Sequence, residues 1–111
     1  DIELIADAAH SKELAFKAYQ NALSLRPDEA SRLYKESLTH AYAALRTGGY
    51  QPDLDYMVGT IHMHRGQMAT AESHFKKALE STNNNLSLDA LEALTDIELA
   101  RKKIARELLD Q

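Results

Sequence analysis

PDLDYMVGTIHMHRGQMATAESHFKKALE, residues 52–80, is the stretch that decides the fold of this chain. Apolar and small residues recur in it at intervals of three and four, which is the period of an amphipathic helix. Gly66 interrupts that pattern, and glycine is a strong helix breaker. We therefore predict one helix that runs to about His64 or Arg65, a turn at Gly66, and a second helix over about 69–82.

Small residues in this stretch stand where two helices would have to approach closely, and an aromatic residue stands beside them. The pattern is Val58-Gly59 in the first helix and Ala71-x3-Phe75-x2-Ala78 in the second. It resembles the tetratricopeptide (TPR) repeat, in which a Leu-Gly pair is followed by an Ala-x3-Phe pair and a closing proline. The resemblance implies a helical-repeat scaffold that binds other proteins.

A second copy of the pattern lies near the start of the chain, at Ala15-x3-Tyr19-x2-Ala22-Leu23, and Pro27 supplies the closing proline. Two copies make a chance match less probable than one. The resemblance covers residues 12–27 and 52–82, and the remainder of the chain matches only as helices.

The spacing between the two copies is irregular. Ala15 and Ala71 stand 56 positions apart, whereas the family period is about 34 residues. The simplest interpretation is one extra or overlong helix, 29–47, between two repeats. In an alternative register, 29–47 and 53–66 form a hairpin of their own.

We predict an all-α fold, an irregular TPR-like array of five to six antiparallel helices in a single domain over 1–111. The helices expected outside the central hairpin are 1–10, about 12–25, about 29–47 and about 88–109, with N-caps at Ser11, Asp28 and Ser87 and stops at Gly48-Gly49 and Asn83–Asn85. The chain begins at Asp1 rather than Met, so we expect it to be part of a longer protein.

Composition excludes several classes of function. The net charge is −4, with 13 basic and 17 acidic residues, so the chain lacks the basic excess of a nucleic-acid binder. No apolar run is long enough to span a membrane. Cysteine is absent, which excludes disulfides and thiolate metal sites and agrees with a reducing compartment such as the cytoplasm. We expect neither a nucleic-acid nor a membrane partner, and no cofactor.

Histidines and carboxylates are the candidates for chemistry. His62 and His64 point about 200° apart on a helix and cannot chelate one ion, so no metal site is expected. Asp53 and Asp55 form an acidic pair at a helix start, where acids are favoured anyway, and we interpret them as a solvated helix end. No partner is predicted for His74, nor for His10 and His40. No nucleophile or phosphate-loop motif occurs, and we expect no enzyme activity.

One face of the 53–66 helix is the candidate binding surface. In proteins of the resembled family this face lines a concave groove that binds peptides, with loop residues contributing. The predicted groove residues are Asp53, Tyr56, Thr60, Met63, His64, Asn84 and Asn85. Tyrosine and methionine suit such a surface because they bury area with few polar demands. In the alternative, Tyr56 and Met63 only pack against the 29–47 helix.

The chain departs from the family pattern at two aromatic positions. Asp55 stands in place of the large aromatic residue of the first helix, and His62 in place of its tyrosine. The Lys and Asn side chains of the family's carboxylate clamp are missing from the groove face, so that mode of binding is not expected.

The function predicted from the sequence is a non-catalytic protein–protein interaction module, an adaptor or chaperone-like scaffold that binds a peptide or helix in its groove. The alternative is a self-assembly module that pairs through the ends of the repeats or through the C-terminal helix.

Overall fold

The computed structural model describes the backbone of residues 2–110 and the side chains of residues 7–110. The described part of the chain forms five helices and no strands, which confirms the all-α prediction. They are α1 (Ile2–Leu23), α2 (Pro27–Gly48), α3 (Pro52–His64), α4 (Met68–Leu79) and α5 (Asn84–Leu109). Short turns join them, so consecutive helices run antiparallel. No described helix is long and apolar enough to cross a membrane.

The first helix is continuous, and the predicted break at Ser11 is wrong. α1 runs from Ile2 through Ser11 to Leu23. Residues 2–23 contain neither glycine nor proline, and a serine costs a helix interior only a few tenths of a kcal/mol. A row of small buried residues packs α1 against α2 and outweighs that cost; it consists of Ala8, Ala15, Ala18 and Ala22.

The turns around α2 and α3 follow the predicted breakers. Gly49 and Gly66 have φ angles of 76° and 75°, a left-handed conformation that glycine adopts without steric cost. The stop after α2 and the turn after α3 are therefore confirmed. Pro27 does more than end α1, because it is the first residue of α2, where its missing N–H is not needed. Asp28 consequently lies in the first turn of α2 instead of capping it.

The junction between α4 and α5 differs from the prediction. α4 ends at Leu79, and Asn83 caps α5 by accepting hydrogen bonds from the backbone N–H groups of Asn85 and Leu86. Asn83 has a φ of −79°, so no left-handed residue is needed there. The predicted cap, Ser87, instead donates its hydroxyl to the carbonyl of Leu79 at 3.0 Å and contacts that of Ser81 at 2.8 Å. Its hydroxyl thus ties the start of α5 to the end of α4.

The core consists of two clusters, one on each side of α3. The first lies between α1, α2 and α3 and contains Ala15, Leu38, Ala41, Ala44, Leu54, Met57, Val58 and Ile61. Within it, the buried Ser37 hydroxyl donates to the Ala15 carbonyl at 2.7 Å. The second lies between α4 and α5, with Ala71, Phe75, Ala93 and Ile97, and side chains of α3 pack onto it.

Helix pairing decides how the two sequence patterns are used. α2 packs mainly on α1 and less extensively on α3, and α4 packs on α3. A hairpin made of α2 and α3 alone, the alternative register, is therefore not the main pairing. The alanine–aromatic pattern that begins at Ala15 lies on α1, the first helix of the α1–α2 hairpin. The pattern that begins at Ala71 lies on α4, the second helix of the α3–α4 hairpin.

Gly59 allows the closest approach in the α3–α4 hairpin. A Cβ atom there would lie 2.9 Å from two ring carbons of Phe75, which is closer than real contacts permit. We expect Gly59→Ala to lower the free energy of unfolding by about 1–3 kcal/mol through overpacking, although alanine favours a helix by about 1 kcal/mol. Denaturant titration checks this, and Gly59→Ala combined with Phe75→Leu should recover part of the loss. A single variant as stable as the wild type would contradict the close approach.

Candidate functional site

A cleft opens between α3 and α5, and three of the predicted groove residues line it. Tyr56, Thr60 and Met63 form its α3 wall, while Phe75 and Ala93 lie beneath. The cavity measures about 210 Å³, below the roughly 300–1,000 Å³ of a typical small-molecule pocket. It therefore has the size to receive individual side chains of a partner instead of a whole ligand.

The opposite wall of the cleft is acidic. Asp89, Glu92 and Asp96 stand on α5 at intervals of three and four and face the α3 wall. All three are exposed, and none forms an ion pair with a side chain that the structure describes. Three unneutralised carboxylates along one helix face make this wall attractive to cations.

Tyr56 connects the apolar floor to this acidic wall. Its ring lies 5.5 Å from that of Phe75, centroid to centroid, at an angle of 58°. Burial raises the pKa of the Tyr56 hydroxyl, and the charges of Asp89 and Glu92 raise it further. Tyr56 therefore stays a neutral phenol that can donate or accept a hydrogen bond at the cleft.

The other predicted groove residues lie outside the cleft. Asp53 pairs with Lys12 of α1 at 2.7 Å, and His64 stacks on Tyr34 at a ring distance of 6.0 Å. His64 and Tyr34 border a separate cavity of about 460 Å³ at the turn between α1 and α2. The predicted loop residues of the groove, Asn84 and Asn85, are exposed in the first turn of α5.

The alternative in which Tyr56 and Met63 pack only against the 29–47 helix is wrong. Both side chains contact the cluster built from α4 and α5, and both remain partly exposed. The reason is that α2 turns toward α1, which leaves this side of α3 open to α5.

A buried polar network lies on the other side of the α3–α4 hairpin. Asp55 accepts a hydrogen bond from Nδ1 of His74 at 2.9 Å. Nε2 of His74 lies 3.2 Å from the Tyr42 hydroxyl, and Nε2 of His62 lies 2.8 Å from it. Nδ1 of His62 lies 2.6 Å from Oε1 of Gln67. The network therefore joins α2, α3, α4 and the Gly66 turn.

The acceptors in this network determine which of its atoms carry protons. The acceptor oxygens of Asp55 and Gln67 require a proton on Nδ1 of each imidazole. The Tyr42 hydroxyl lies within hydrogen-bond distance of Nε2 of both imidazoles and can donate its one proton to only one of them at a time. Burial raises the pKa of the Tyr42 hydroxyl, and the nearby Asp55 charge raises it further. The tyrosine thus keeps its proton and continues to act as the donor.

Two sequence-based interpretations are corrected by this network. Asp55 is not part of a solvated helix end, because it is only 3% exposed. His74 does have partners, because it is buried between Asp55 and Tyr42. Asp55 and His62 are the two positions at which the sequence departs from the aromatic residues of the resembled repeat.

Metal binding has no support in the described residues, because no three His, Cys, Asp or Glu side chains are grouped closely enough to hold an ion. The network instead directs its polar atoms at one another. Among the described side chains, no buried polar atom lacks a hydrogen-bond partner.

Sequence reasoning missed the acidic wall of the cleft. Acidic residues are favoured near a helix N-terminus in any case, so Asp89, Glu92 and Asp96 do not stand out in the sequence. Their spacing on one stripe was the available signal. What faces that stripe depends on how α5 packs, which the sequence did not specify.

Comparison with known proteins gives no relative: no protein-family model matches the chain, and neither the curated proteins nor the solved structures contain a match.

Proposed function

We propose that the chain is a non-catalytic protein-interaction module of a degenerate TPR-like type, and that it binds a basic peptide or helix in the α3–α5 cleft. The observation that carries the proposal is the pairing of two unlike walls across one cavity. Tyr56 and Met63 offer apolar contact area on one side, and three unpaired carboxylates face them on the other.

A partner that fits both walls is amphipathic. Its apolar side chains would contact Tyr56, Met63 and the edge of Phe75, as in the helix-in-groove mode of recognition. Its lysine or arginine side chains would face Asp89, Glu92 and Asp96. Contacts of this kind set orientation and association rate more than raw affinity, and they weaken with salt.

The charge preference can be tested with two synthetic helical peptides that share one leucine pattern and carry either lysine or glutamate at the polar positions. We expect fluorescence anisotropy to show binding of the lysine peptide, weakened by added salt, and much weaker binding of the glutamate peptide. Neutralising the wall with Asp89→Asn, Glu92→Gln and Asp96→Asn should reduce affinity about tenfold, since exposed ion pairs contribute about 0.2–1 kcal/mol each.

The neutralised variant should retain its stability within about 0.5 kcal/mol, because the three side chains are exposed. Serine at Tyr56 and Met63 is less decisive, because both side chains also contact the core and their loss would lower stability together with binding. A matched control removes the same charge elsewhere, with Asp7→Asn, Glu13→Gln and Asp28→Asn. Equal binding of the two peptides, or equal loss in the control, would contradict the proposal.

A further inference from the structure

The C-terminal half of α5 extends beyond the rest of the protein. Every residue from 101 to 110 is exposed, and Ile97 is the last buried side chain. α5 has 26 residues and is therefore about 39 Å long. The radius of gyration is 15.4 Å, above the roughly 13 Å of a compact domain of 100 residues. The helix thus exposes a long surface that no other described element covers.

Exposed apolar side chains occur along the whole of α5. Six of the ten exposed large hydrophobic side chains of the described chain lie on α5, and they are Leu88, Leu91, Leu99, Ile104, Leu108 and Leu109. Two of the six, Leu91 and Leu108, lie on one side of the helix together with Leu94 and Ala105. The question is which partner the pattern fits.

A seam with the spacing of a coiled coil runs along α5. Its members follow one another at alternating intervals of three and four, which is the 3.5-residue period of helix pairing. They are Leu91, Leu94, Glu98, Arg101, Ala105 and Leu108. Leu94 is partly buried and the other five are exposed. A cavity of about 490 Å³ lies along the four central members and is bounded on the far side by Glu72 and Lys76 of α4.

The seam is complementary to itself in the antiparallel direction, both in its apolar residues and in its charges. When a second α5 runs antiparallel, with the two-fold axis between Glu98 and Arg101, Leu91 faces Leu108 and Leu94 faces Ala105 of the other copy. Glu98 then faces Arg101. A parallel pair would instead oppose Glu98 to Glu98 and Arg101 to Arg101, which is repulsive.

We propose that two copies of this chain associate through an antiparallel pairing of their α5 helices along this seam. The second copy occupies the cavity beside α4, where Arg101 already contacts Glu72, and the Arg101 guanidinium then lies between Glu72 and the second copy's Glu98. The interface is isologous, as expected for a two-fold dimer. The acidic wall of the cleft lies on the opposite side of α5, about 180° from the seam at 100° per residue, so the cleft stays open in the dimer.

Sedimentation velocity over a wide range of protein concentrations tests the association. We expect a concentration-dependent dimer. Glu98→Arg should raise its dissociation constant about tenfold or more, because the new cation faces Arg101 of the other copy. Combining it with Arg101→Glu exchanges the charges across the pair and should recover part of the lost affinity, because the new carboxylate also lies beside Glu72. Glu107→Arg makes the same charge change on the opposite side of α5 and should have little effect. A wild type that stays monomeric, or a dimer that Glu98→Arg leaves unchanged, would refute the pairing.

Orientation can be tested with cysteines, because the natural sequence has none. The side chains of Leu91 and Leu108 are 50% and 66% exposed, so neither Leu91→Cys nor Leu108→Cys should disturb the fold. We expect a disulfide-linked dimer when the two variants are mixed under oxidising conditions, and little linkage in either variant alone. Efficient linkage within each single variant would indicate a parallel pair and overturn the antiparallel assignment.

Discussion

Phe75→Ala is expected to lower the free energy of unfolding by about 3–5 kcal/mol, the usual cost of removing a buried aromatic ring. Phe75 is 1% exposed, lies against α3 at Gly59 and packs in a tilted arrangement against the ring of Tyr56. A domain of this kind has about 5–15 kcal/mol of stability in total, so the variant should unfold at a much lower denaturant concentration.

The chain offers a matched control, because its other phenylalanine is only partly buried. Phe16 lies at the edge of the first core cluster, and Phe16→Ala makes the same chemical change with less surface lost from the core. Its cost should be clearly smaller. A loss below about 1 kcal/mol for Phe75→Ala would mean that the ring is exposed in solution and that the α3–α4 hairpin is packed differently.

The helical hairpin was predictable because local and tertiary signals agree in residues 52–80. The helical period, the positive φ of Gly66 and the small residues opposite Phe75 all favour the same packing. At Ser11 the local signal misled, because a possible cap does not break a helix whose apolar face continues on both sides of it. Asn83 and Ser87, four positions apart, could each cap α5, and the hydroxyl of Ser87 instead contacts the carbonyls of Leu79 and Ser81.

The site was less predictable because it depends on contacts between helices distant in sequence. Tyr56, Thr60 and Met63 follow from one helix face. The acidic wall follows only once α5 lies beside α3. The polar network was hidden for the same reason: Tyr42 is 20 residues from His62 and 32 from His74. The pattern of a single helix does not show which residues of other helices contact it. Within α3 alone, Asp55 cannot be distinguished from an exposed acid at a helix start.

His74→Ala is the variant that tests the network most severely. His74 supplies the only described hydrogen bond to the Asp55 carboxylate, and Asp55 is only 3% exposed. Its removal leaves a buried carboxylate without its hydrogen-bond donor, which costs about 1–3 kcal/mol and more for a charged group. His10→Ala makes the same chemical change at an exposed position of α1 and should alter stability by less than about 0.5 kcal/mol.

Adding Asp55→Ala distinguishes a buried charge from a simple cavity, because the two cases change the free energy of unfolding of His74→Ala in opposite directions. When Asp55→Ala is added to His74→Ala, the orphaned carboxylate is removed, and we expect the double variant to be more stable than His74→Ala alone. The coupling between the two positions should amount to about 0.5–3 kcal/mol in a double-mutant cycle measured by denaturant titration. If the two losses simply add, Asp55 and His74 contribute by packing alone. The carboxylate would then reach water, as the sequence had suggested, and the close contact between Asp55 and His74 would carry no energetic weight.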